Sequence, residues 1–395
     1  MSALAGSLAI ALSVLVLLHT VPWIVLSVLA IRRPRGELTA APMRLAVIVP
    51  AHDEEAGIGR TVASLRAAPF EPRPEIIVVA DNCRDATASI ARAAGATVLE
   101  RYDSSRRGKA FAINHAVAAL RERPRPPDAV IVVDADTTVS ANVYCALSSR
   151  LAGGAEAVQV HYEPAPSRAP VARLRRVAMA LVHWSRPLGM ARLGLGTGIK
   201  GNGFALSWRL ARGGFAGHGL AEDASLTLAL ARQGLPVRFE ARATVRGEMA
   251  ETYAAASTQD RRWERGRLAL IPQALAVAAK SVLRGRLAAA AGALDVATLP
   301  LSLLAMAGVV ALSLAVASGE SLMVAGAALA SLVAYVAAGA AAARVSPGEF
   351  LALVHAPRFV AHKLAVYAQL LAGRGLRAWE RTARQAPARK GRGAS

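Results

Sequence analysis

The sequence VIVPAHDEE at residues 47–55 decides the fold, because a short apolar run ends there directly in a polar turn. Similar apolar runs recur further along the chain, with amphipathic helical patterns between them. These β-like runs lie at Leu45–Val49, Ile76–Ala80, Thr97–Leu99, Val130–Val133 and Val158–Val160. Alternating strands and helices of this kind form βαβ units. The sequence therefore predicts an α/β domain over 44–267 with a mainly parallel, Rossmann-like sheet and helices on both faces.

Turns rich in polar residues follow three of these predicted strands. They contain Pro50, His52 and Glu54 after the first, Asp81 after the second, and Asp134 and Asp136 after the fourth. Ligands of such sheets bind beyond the carboxyl ends of the strands, so these side chains should converge. Asp and Asn also form turns by themselves, which leaves a structural role open for each cluster alone. Together they predict a site for a nucleotide and a divalent cation, Mg²⁺ or Mn²⁺, held by carboxylate oxygens.

A cationic segment, Arg106-Arg107-Gly108-Lys109, opens the next predicted helix. Main-chain N–H groups at a helix start attract phosphate, and a nearby Lys adds a point charge. A solvated helix start is the alternative reading of the same residues. The sequence does not contain the Gly-x-x-x-x-Gly-Lys-Ser/Thr pattern of phosphate-loop ATPases, so it gives no support for that class of protein.

In combination, the motifs of the middle segment resemble those of the inverting glycosyltransferases of family 2, which have a GT-A fold. The resemblance covers residues 44 to about 270 and rests on VIVPAHDEE at 47–55, VVADNCRD at 78–85, RRGKAFAIN at 106–114, VVDAD at 132–136, GNGFAL at 201–206, Glu222-Asp223, and Gln259, Arg262 and Trp263 of a Gln-x-x-Arg-Trp motif. Details at 80–85, 94–101 and 261–267 look closest to the bacterial EpsO-like branch, which is associated with exopolysaccharide synthesis.

The resemblance implies a role for each matching residue. Asp223 is the implied catalytic base, which takes the proton of the acceptor hydroxyl. Asp136 is the implied ligand of the metal, which acts as a Lewis acid toward the leaving diphosphate. The implied donor-binding residues are Pro50, His52, Glu54, Asp81, Lys109, Asp134 and Arg262, and the implied acceptor-binding residues are Gly201, Asn202, Gly203, Glu222, Gln259 and Trp263. For Trp263, an interfacial membrane anchor is an equal alternative.

The apolar residues are concentrated outside this segment. The chain has 395 residues, of which 54% are hydrophobic, and residues 1–31 contain no charged side chain. This run is long enough for a membrane helix, and the basic residues follow it rather than precede it, unlike in a signal peptide. Two further uncharged runs, 296–319 and 321–343, predict a transmembrane hairpin, with a pair of buried soluble helices as the alternative.

The net charge of +20 then indicates which segments of the chain face the cytoplasm. Residues 344–395 hold ten Lys and Arg but two Glu, and cations collect on the cytoplasmic side. We therefore expect a membrane helix over 1–31, a linker over 32–43, a cytoplasmic catalytic domain over 44–267, an interfacial helix region over 268–292, a membrane hairpin over 293–343, and a basic interfacial helix and tail over 344–395. Aromatic residues make up 5% of the chain, too few for a base-stacking nucleic-acid platform. Two cysteines exclude a disulfide scaffold.

These observations predict a multi-pass enzyme of the bacterial inner membrane that transfers one sugar from a nucleotide donor, with a UDP-sugar preferred, to a lipid-linked or glycolipid acceptor. Three spans are too few to enclose a polymer channel, but a processive synthase paired with a separate channel subunit remains an alternative. A catalytically silent, nucleotide-binding membrane scaffold is an alternative from another class. Nucleic-acid binding is not expected.

Overall fold

The computed structural model describes residues 2–215 and 221–372. Residues 44–267 contain one sheet, whose strands are β1 (Leu45–Ala51), β2 (Glu75–Asp81), β3 (Thr97–Arg101), β4 (Ala129–Val132), β5 (Thr137–Val139), β6 (Ala157–Pro164), β7 (Phe204–Ser207) and β8 (Val237–Gly247). The spatial order is β3-β2-β1-β4-β7-β6-β8-β5. Each of the five predicted strands is present, and the α/β GT-A-like class is confirmed.

The sheet is mixed rather than uniformly parallel. Strands β3, β2, β1 and β4 run parallel, as does the pair β6 and β8, whereas β7 is antiparallel to both β4 and β6. Short β5 is antiparallel to β8. Strand β1 is apolar throughout and almost wholly buried, as expected for a central parallel strand covered on both faces. In the GNGFAL motif, Gly201 to Gly203 form a loop, and Phe204 to Leu206 belong to β7.

Helices cover both faces of the sheet. They are α2 (Ile58–Ala67), α3 (Thr87–Ala93), α4 (Lys109–Arg121), α5 (Val143–Ala152), α6 (Pro170–Ala180), α7 (Arg186–Arg192), α8 (Trp208–Ala211) and α9 (Glu222–Arg232), with a π-helical turn, Leu181–Ser185, between α6 and α7. One apolar core lies between the sheet and α2 and α5. A second core lies between the opposite face and α4 and α9. This sandwich holds the strand ends, and therefore the polar turns, in fixed positions.

The remaining helices are largely apolar. They are α1 (Ser2–Ala30), α10 (Tyr253–Leu283), α11 (Leu287–Ala297), α12 (Leu301–Ser318), α13 (Leu322–Ala343), α14 (Pro347–Phe350) and α15 (Ala356–Leu371), with a 3₁₀ turn, Leu351–His355, before α15. Within the described part of the chain, α1, α10, α12 and α13 are long and apolar enough to cross a membrane. Helices α1, α12 and α13 pack together. Small buried residues such as Ala9, Ala311 and Ala325 allow this close approach.

The expected end of the catalytic domain falls inside an observed helix. Residue 267 lies within α10, which continues through Pro272 to Leu283. The Gln-x-x-Arg-Trp motif and the segment expected to lie at the interface therefore share one helix. The basic helix expected after 344 corresponds to α14 and α15, and the last part of the expected tail, 373–395, lies outside the described residues.

Candidate active site

A cavity of about 880 Å³ opens at the carboxyl ends of β1, β2 and β4 and extends along α9 and α10. Most of the residues expected from the sequence line it, namely Pro50, His52, Glu54, Asp81, Lys109, Asp134, Asp136, Gly201, Asp223, Gln259, Arg262 and Trp263. Asn202, Gly203 and Glu222 are not among the lining residues, although their chain neighbours Gly201 and Asp223 are. The structure thus brings most residues expected on the donor side and on the acceptor side to one continuous space.

The first two strand-end turns are tied together by hydrogen bonds. The His52 ring Nδ1 lies 2.6 Å from the backbone oxygen of Asp81. The Asp81 carboxylate is 6% exposed and accepts from Arg101 at 2.6 Å and from the Asn82 amide at 3.0 Å. Charge-assisted hydrogen bonds of this kind replace the water that an exposed carboxylate would bind. Arg101, the last residue of β3, was not expected among the site residues, although its place at a strand end is a usable signal.

A second carboxylate cluster lies beside these turns. Ligand atoms of Asp53, Cys83 and Asp85 lie within 4.8 Å of one another. Burial raises the pKa of the Cys83 thiol, which disfavours the thiolate that a metal would require. The Asp53 carboxylate accepts from the Arg84 amide at 2.7 Å, and an Asp85 oxygen accepts from the Glu55 amide at 3.1 Å. These contacts give the trio a structural role in locking the two turns together.

Lys109 begins α4 and faces the aspartates of the next strand end. Its Nζ forms an ion pair with Asp134 and donates to the backbone oxygen of Gly201 at 2.5 Å. Burial alone lowers the pKa of Lys109, but Asp134, Glu222 and Asp223 together raise it above its usual value. The lysine is therefore cationic across the physiological range. It links the Asp-x-Asp turn after β4 to the loop before β7.

Asn202 holds the Asp-x-Asp turn from behind. The Asp134 amide donates to Asn202 Oδ1 at 3.1 Å, and Asn202 Nδ2 donates to the Thr137 hydroxyl at 2.8 Å. That hydroxyl in turn donates to Asp136 Oδ1 at 3.3 Å. Asn202 is 1% exposed, so it acts on the turn rather than on a ligand in the cavity. Its neighbour Gly203 has φ +68° and packs so closely on Val245 that a Cβ would lie 2.5 Å from that side chain.

The acidic pair Glu222-Asp223 occupies the first turn of α9. A Cβ at Gly201, whose φ is +80°, would lie 3.5 Å from Asp223 Oδ2, so the backbone before β7 approaches this carboxylate closely. Asp223 Oδ1 accepts from the Ala224 amide at 2.8 Å. Burial and the neighbouring Asp223 raise the pKa of Glu222. Two adjacent carboxylates in different surroundings are a common basis for acid–base chemistry.

Helix α10 contributes the Gln-x-x-Arg-Trp side chains. Residues spaced by three or four positions share one face of a helix, which brings Gln259, Arg262 and Trp263 to the cavity together. Gln259 Oε1 accepts from Arg175 of α6 at 3.0 Å. Trp263 is 38% exposed, so its ring is available to a ligand or to lipid. The start of α10 is capped by Thr252, whose hydroxyl accepts from the Ala255 amide at 3.2 Å.

The cavity continues beyond the expected residues to Lys200, Arg267, Asp295 and Val296. Lys200 Nζ lies 2.5 Å from Asp295 Oδ2. In the sequence Asp295 marked only the edge of an uncharged run, and the three charged residues are far apart along the chain. No local pattern predicts that they meet.

Comparisons with known proteins agree with this architecture. Residues 42–266 match the family model described as glycosyltransferase-like family 2. No curated protein sequence matches the chain significantly. Among solved structures, the mannosyltransferase PcManGT from Pyrobaculum calidifontis is 18% identical over 93% of this chain and 99% of its own, with a TM-score of 0.57. Glucosyl-3-phosphoglycerate synthase from Mycobacterium tuberculosis is 22% identical over 58% of this chain and 80% of its own, with a TM-score of 0.40. The family match covers more than half of the sequence, and this chain therefore belongs to glycosyltransferase-like family 2.

Proposed function

We propose that this protein is a membrane-bound glycosyltransferase that transfers one hexosyl group, with inversion, from a nucleoside diphosphate sugar to a lipid-linked or glycolipid acceptor. The observation that carries the proposal is the single cavity, which runs from the carboxylates at the strand ends to Val296, beside the first helix of the apolar hairpin. A water-soluble donor and a membrane acceptor would meet between these two ends.

The donor would bind at the strand-end turns. Pro50, His52, Glu54 and Asp81 line the position for the nucleoside, and Lys109 and Arg262 face the position for the diphosphate. Asp134 would contact the ribose or support the metal ligand. PcManGT, which shares the fold, is described in complex with GDP-mannose and Mn²⁺. For this chain we propose a UDP-sugar as the preferred donor.

The residues of the Asp-x-Asp turn suit a divalent cation. Asp136 and Asp134 are hard oxygen donors on the cavity wall, and Lys109 offsets one of the two negative charges. Asp136 would hold Mg²⁺ or Mn²⁺, with Asp134 beside it. When bound, such an ion supplies Lewis-acid stabilisation of the leaving diphosphate.

Asp223 would act as the base. The acceptor hydroxyl oxygen forms a bond to the anomeric carbon while the bond from that carbon to the diphosphate oxygen breaks, and the hydroxyl proton passes to Asp223. A single displacement of this kind inverts the anomeric configuration. Gly201, Gln259 and Trp263 line the acceptor side of the cavity, with Asn202, Gly203 and Glu222 behind it.

The membrane arrangement completes the proposal. Helices α1, α12 and α13 would span the bilayer, with 44–267 on the cytoplasmic side of the bacterial inner membrane and the basic residues after 344 at the same surface. The interfacial role expected for 268–292 would fall to the end of α10 and the start of α11. The resemblance of the motifs to the EpsO-like branch supports a product used in surface polysaccharide or glycolipid synthesis.

The test is transfer by the full-length protein in nanodiscs made from native lipid extract. A panel of nucleotide sugars is supplied with Mg²⁺ or Mn²⁺, and lipid products are identified by mass spectrometry. We expect a lipid whose mass rises by one hexose with one donor, and an inverted anomeric carbon by NMR. Absence of transfer from every donor, in protein that still binds Mn²⁺ and nucleotide, would refute the proposal.

A further inference from the structure

The far end of the cavity contains a buried charge cluster, which we call the Asp295 cluster. It consists of Arg186 from α7, Lys200 from the loop before β7, Arg267 from α10 and Asp295 from α11. Arg186 is 2% exposed and Asp295 is 6% exposed. Lys200, Arg267 and Asp295 line the cavity itself. Three cations therefore surround one carboxylate in a desolvated place.

The contacts leave the cations incompletely neutralised. Asp295 lies 2.5 Å from Lys200 and 3.7 Å from Arg186. Arg267 instead donates to the hydroxyl of Thr298 at 2.5 Å, which also accepts from Arg186 at 3.1 Å. Among the described residues, Arg186 Nε is buried without a hydrogen-bond partner. Buried cations that lack a counter-charge are costly unless a ligand supplies it.

One other acid lies close to the cluster. Glu264, one turn before Arg267 on α10, interacts electrostatically with Arg267, but its Oε1 also accepts from Lys363 at 2.8 Å, whose positive charge offsets that of the carboxylate. Burial lowers the pKa of Lys200, Asp295 opposes the shift, and Arg186 and Arg267 add to it. The cluster as a whole therefore favours an additional negative charge.

The cluster also lies at the junction with the apolar helices. The Arg186 guanidinium sits 4.7 Å from the centre of the Trp23 ring on α1. Thr298 belongs to the short link between α11 and α12, and the cavity wall beside the cluster includes Val296. A group that enters here would approach from the side of α1 and the hairpin, where the acyl or prenyl part of a lipid would remain.

We propose that the Asp295 cluster binds a phosphate group of the acceptor. This inference rests on the proposed function and narrows its acceptor to a phosphorylated one. Two guanidinium groups and an ammonium group provide the charge-assisted hydrogen bonds that phosphate oxygens accept. Lys200 directly precedes Gly201, whose backbone approaches Asp223. A phosphate held by the cluster therefore positions the neighbouring acceptor hydroxyl near the base.

The experiment measures binding of defined probes to the full-length protein in a neutral detergent, by tryptophan fluorescence, with UDP and Mn²⁺ present. The probes are farnesyl phosphate, farnesol and inorganic phosphate. We expect farnesyl phosphate to bind at least about tenfold more tightly than farnesol, as one or more hydrogen bonds to a charged group imply. Arg267→Gln should remove most of this preference and leave farnesol binding unchanged.

Two controls make the result specific. Arg284→Gln removes an exposed Arg directly after the same helix and should leave farnesyl phosphate binding unchanged. Arg267→Lys keeps the charge and should restore a large part of the preference, even if the Gln variant folds poorly. Inorganic phosphate that binds as tightly as farnesyl phosphate, with the same sensitivity to Arg267, would support the cluster and assign it to water-soluble phosphorylated acceptors.

The inference is overturned if the wild type binds farnesyl phosphate and farnesol equally, or if Arg267→Gln and Arg284→Gln weaken binding alike. Binding of UDP with Mn²⁺ is measured in the same samples. Lost nucleotide binding in the wild type counts against the proposed function, whereas intact nucleotide binding without phosphate preference counts against the Asp295 cluster alone.

Discussion

The two ends of the cavity differ in their balance of acidic and basic side chains. At the strand-end turns, Asp81, Asp134 and Asp136 gather around one space, where Arg101 pairs with Asp81 and Lys109 pairs with Asp134. At the Asp295 cluster, three cations gather around one carboxylate. An acid-rich pocket suits a metal ion with a diphosphate, and a cation-rich pocket suits a bare anion. The difference fits the proposal that the cavity receives two anionic partners, of which the donor would bind together with a metal ion.

The largest expected effect comes from substitution of Asp223, the carboxylate between the two ends of the cavity. We expect Asp223→Asn to reduce turnover about a thousandfold, because the amide cannot accept the acceptor proton. Binding of UDP with Mn²⁺ should change little, since Asp223 is not one of the proposed donor-binding residues. Steady-state rates and calorimetric titration measure the two quantities.

Asp128→Asn is the matched control for this substitution. Asp128 is an exposed carboxylate paired with Arg44 at 3.1 Å, remote from the cavity wall. Its replacement should leave turnover unchanged. Turnover that survives in Asp223→Asn would remove this residue as the base and would locate the proton acceptor elsewhere.

The second expected effect concerns the acid-rich end alone. Asp136→Asn should lower turnover at least about a hundredfold, because metal stabilisation of the leaving group is worth several kcal/mol. The Mn²⁺ concentration for half-maximal activity should rise, and binding of farnesyl phosphate at the Asp295 cluster should not change. An unaltered Mn²⁺ dependence would show that another carboxylate holds the metal.

The two ends also differ in how far the sequence predicts them. Asp81 and Asp134 follow apolar runs directly, and Asp136 comes two residues after Asp134, so a local pattern predicts their positions at the same edge of the sheet. Lys200, Arg267 and Asp295 come from a loop and two helices that only tertiary packing brings together, and no spacing rule applies to them. The strand-end pocket was therefore predictable, and the cluster beside the membrane helices was not.

Strands β7 and β8 were not among the strands predicted from the sequence. Strand β7 has four residues, too few for a periodic pattern, and its antiparallel place between β4 and β6 depends on long-range pairing. Strand β8 is different, because alternate residues from Val237 to Val245 are apolar and buried. That alternation is a usable strand signal. Its register with β6 has an irregularity after Val160, which sequence periodicity does not reveal.

The third prediction tests how the loop before β7 couples the two ends. Asn202→Ala removes the hydrogen bonds to the Asp134 amide and the Thr137 hydroxyl. We expect the apparent Mn²⁺ affinity to fall about tenfold, as is typical when a group that orients a metal ligand is lost. Asn142→Ala removes a partly buried hydrogen bond to the backbone oxygen of Arg242, far from the cavity. This substitution should not change the Mn²⁺ affinity. Equal losses in both variants would reduce Asn202 to a purely structural role.

The smallest expected effect is on stability and comes from Glu222, behind the base. Its pKa is raised by burial and by Asp223, so the folded protein binds a proton more tightly than the unfolded chain does. Folding stability due to this group therefore falls as the pH rises from its ordinary pKa of 4.5 through the raised value, and the deficit persists at neutral pH.

Glu222→Gln should raise the thermal midpoint at neutral pH by about 2 °C and abolish this part of the pH dependence. Glu71→Gln, at an exposed position, should do neither. A lower midpoint in Glu222→Gln would mean that the negative charge of Glu222 stabilises the fold through Lys109. The ion pairs at the acid-rich end would then outweigh the repulsion among its carboxylates.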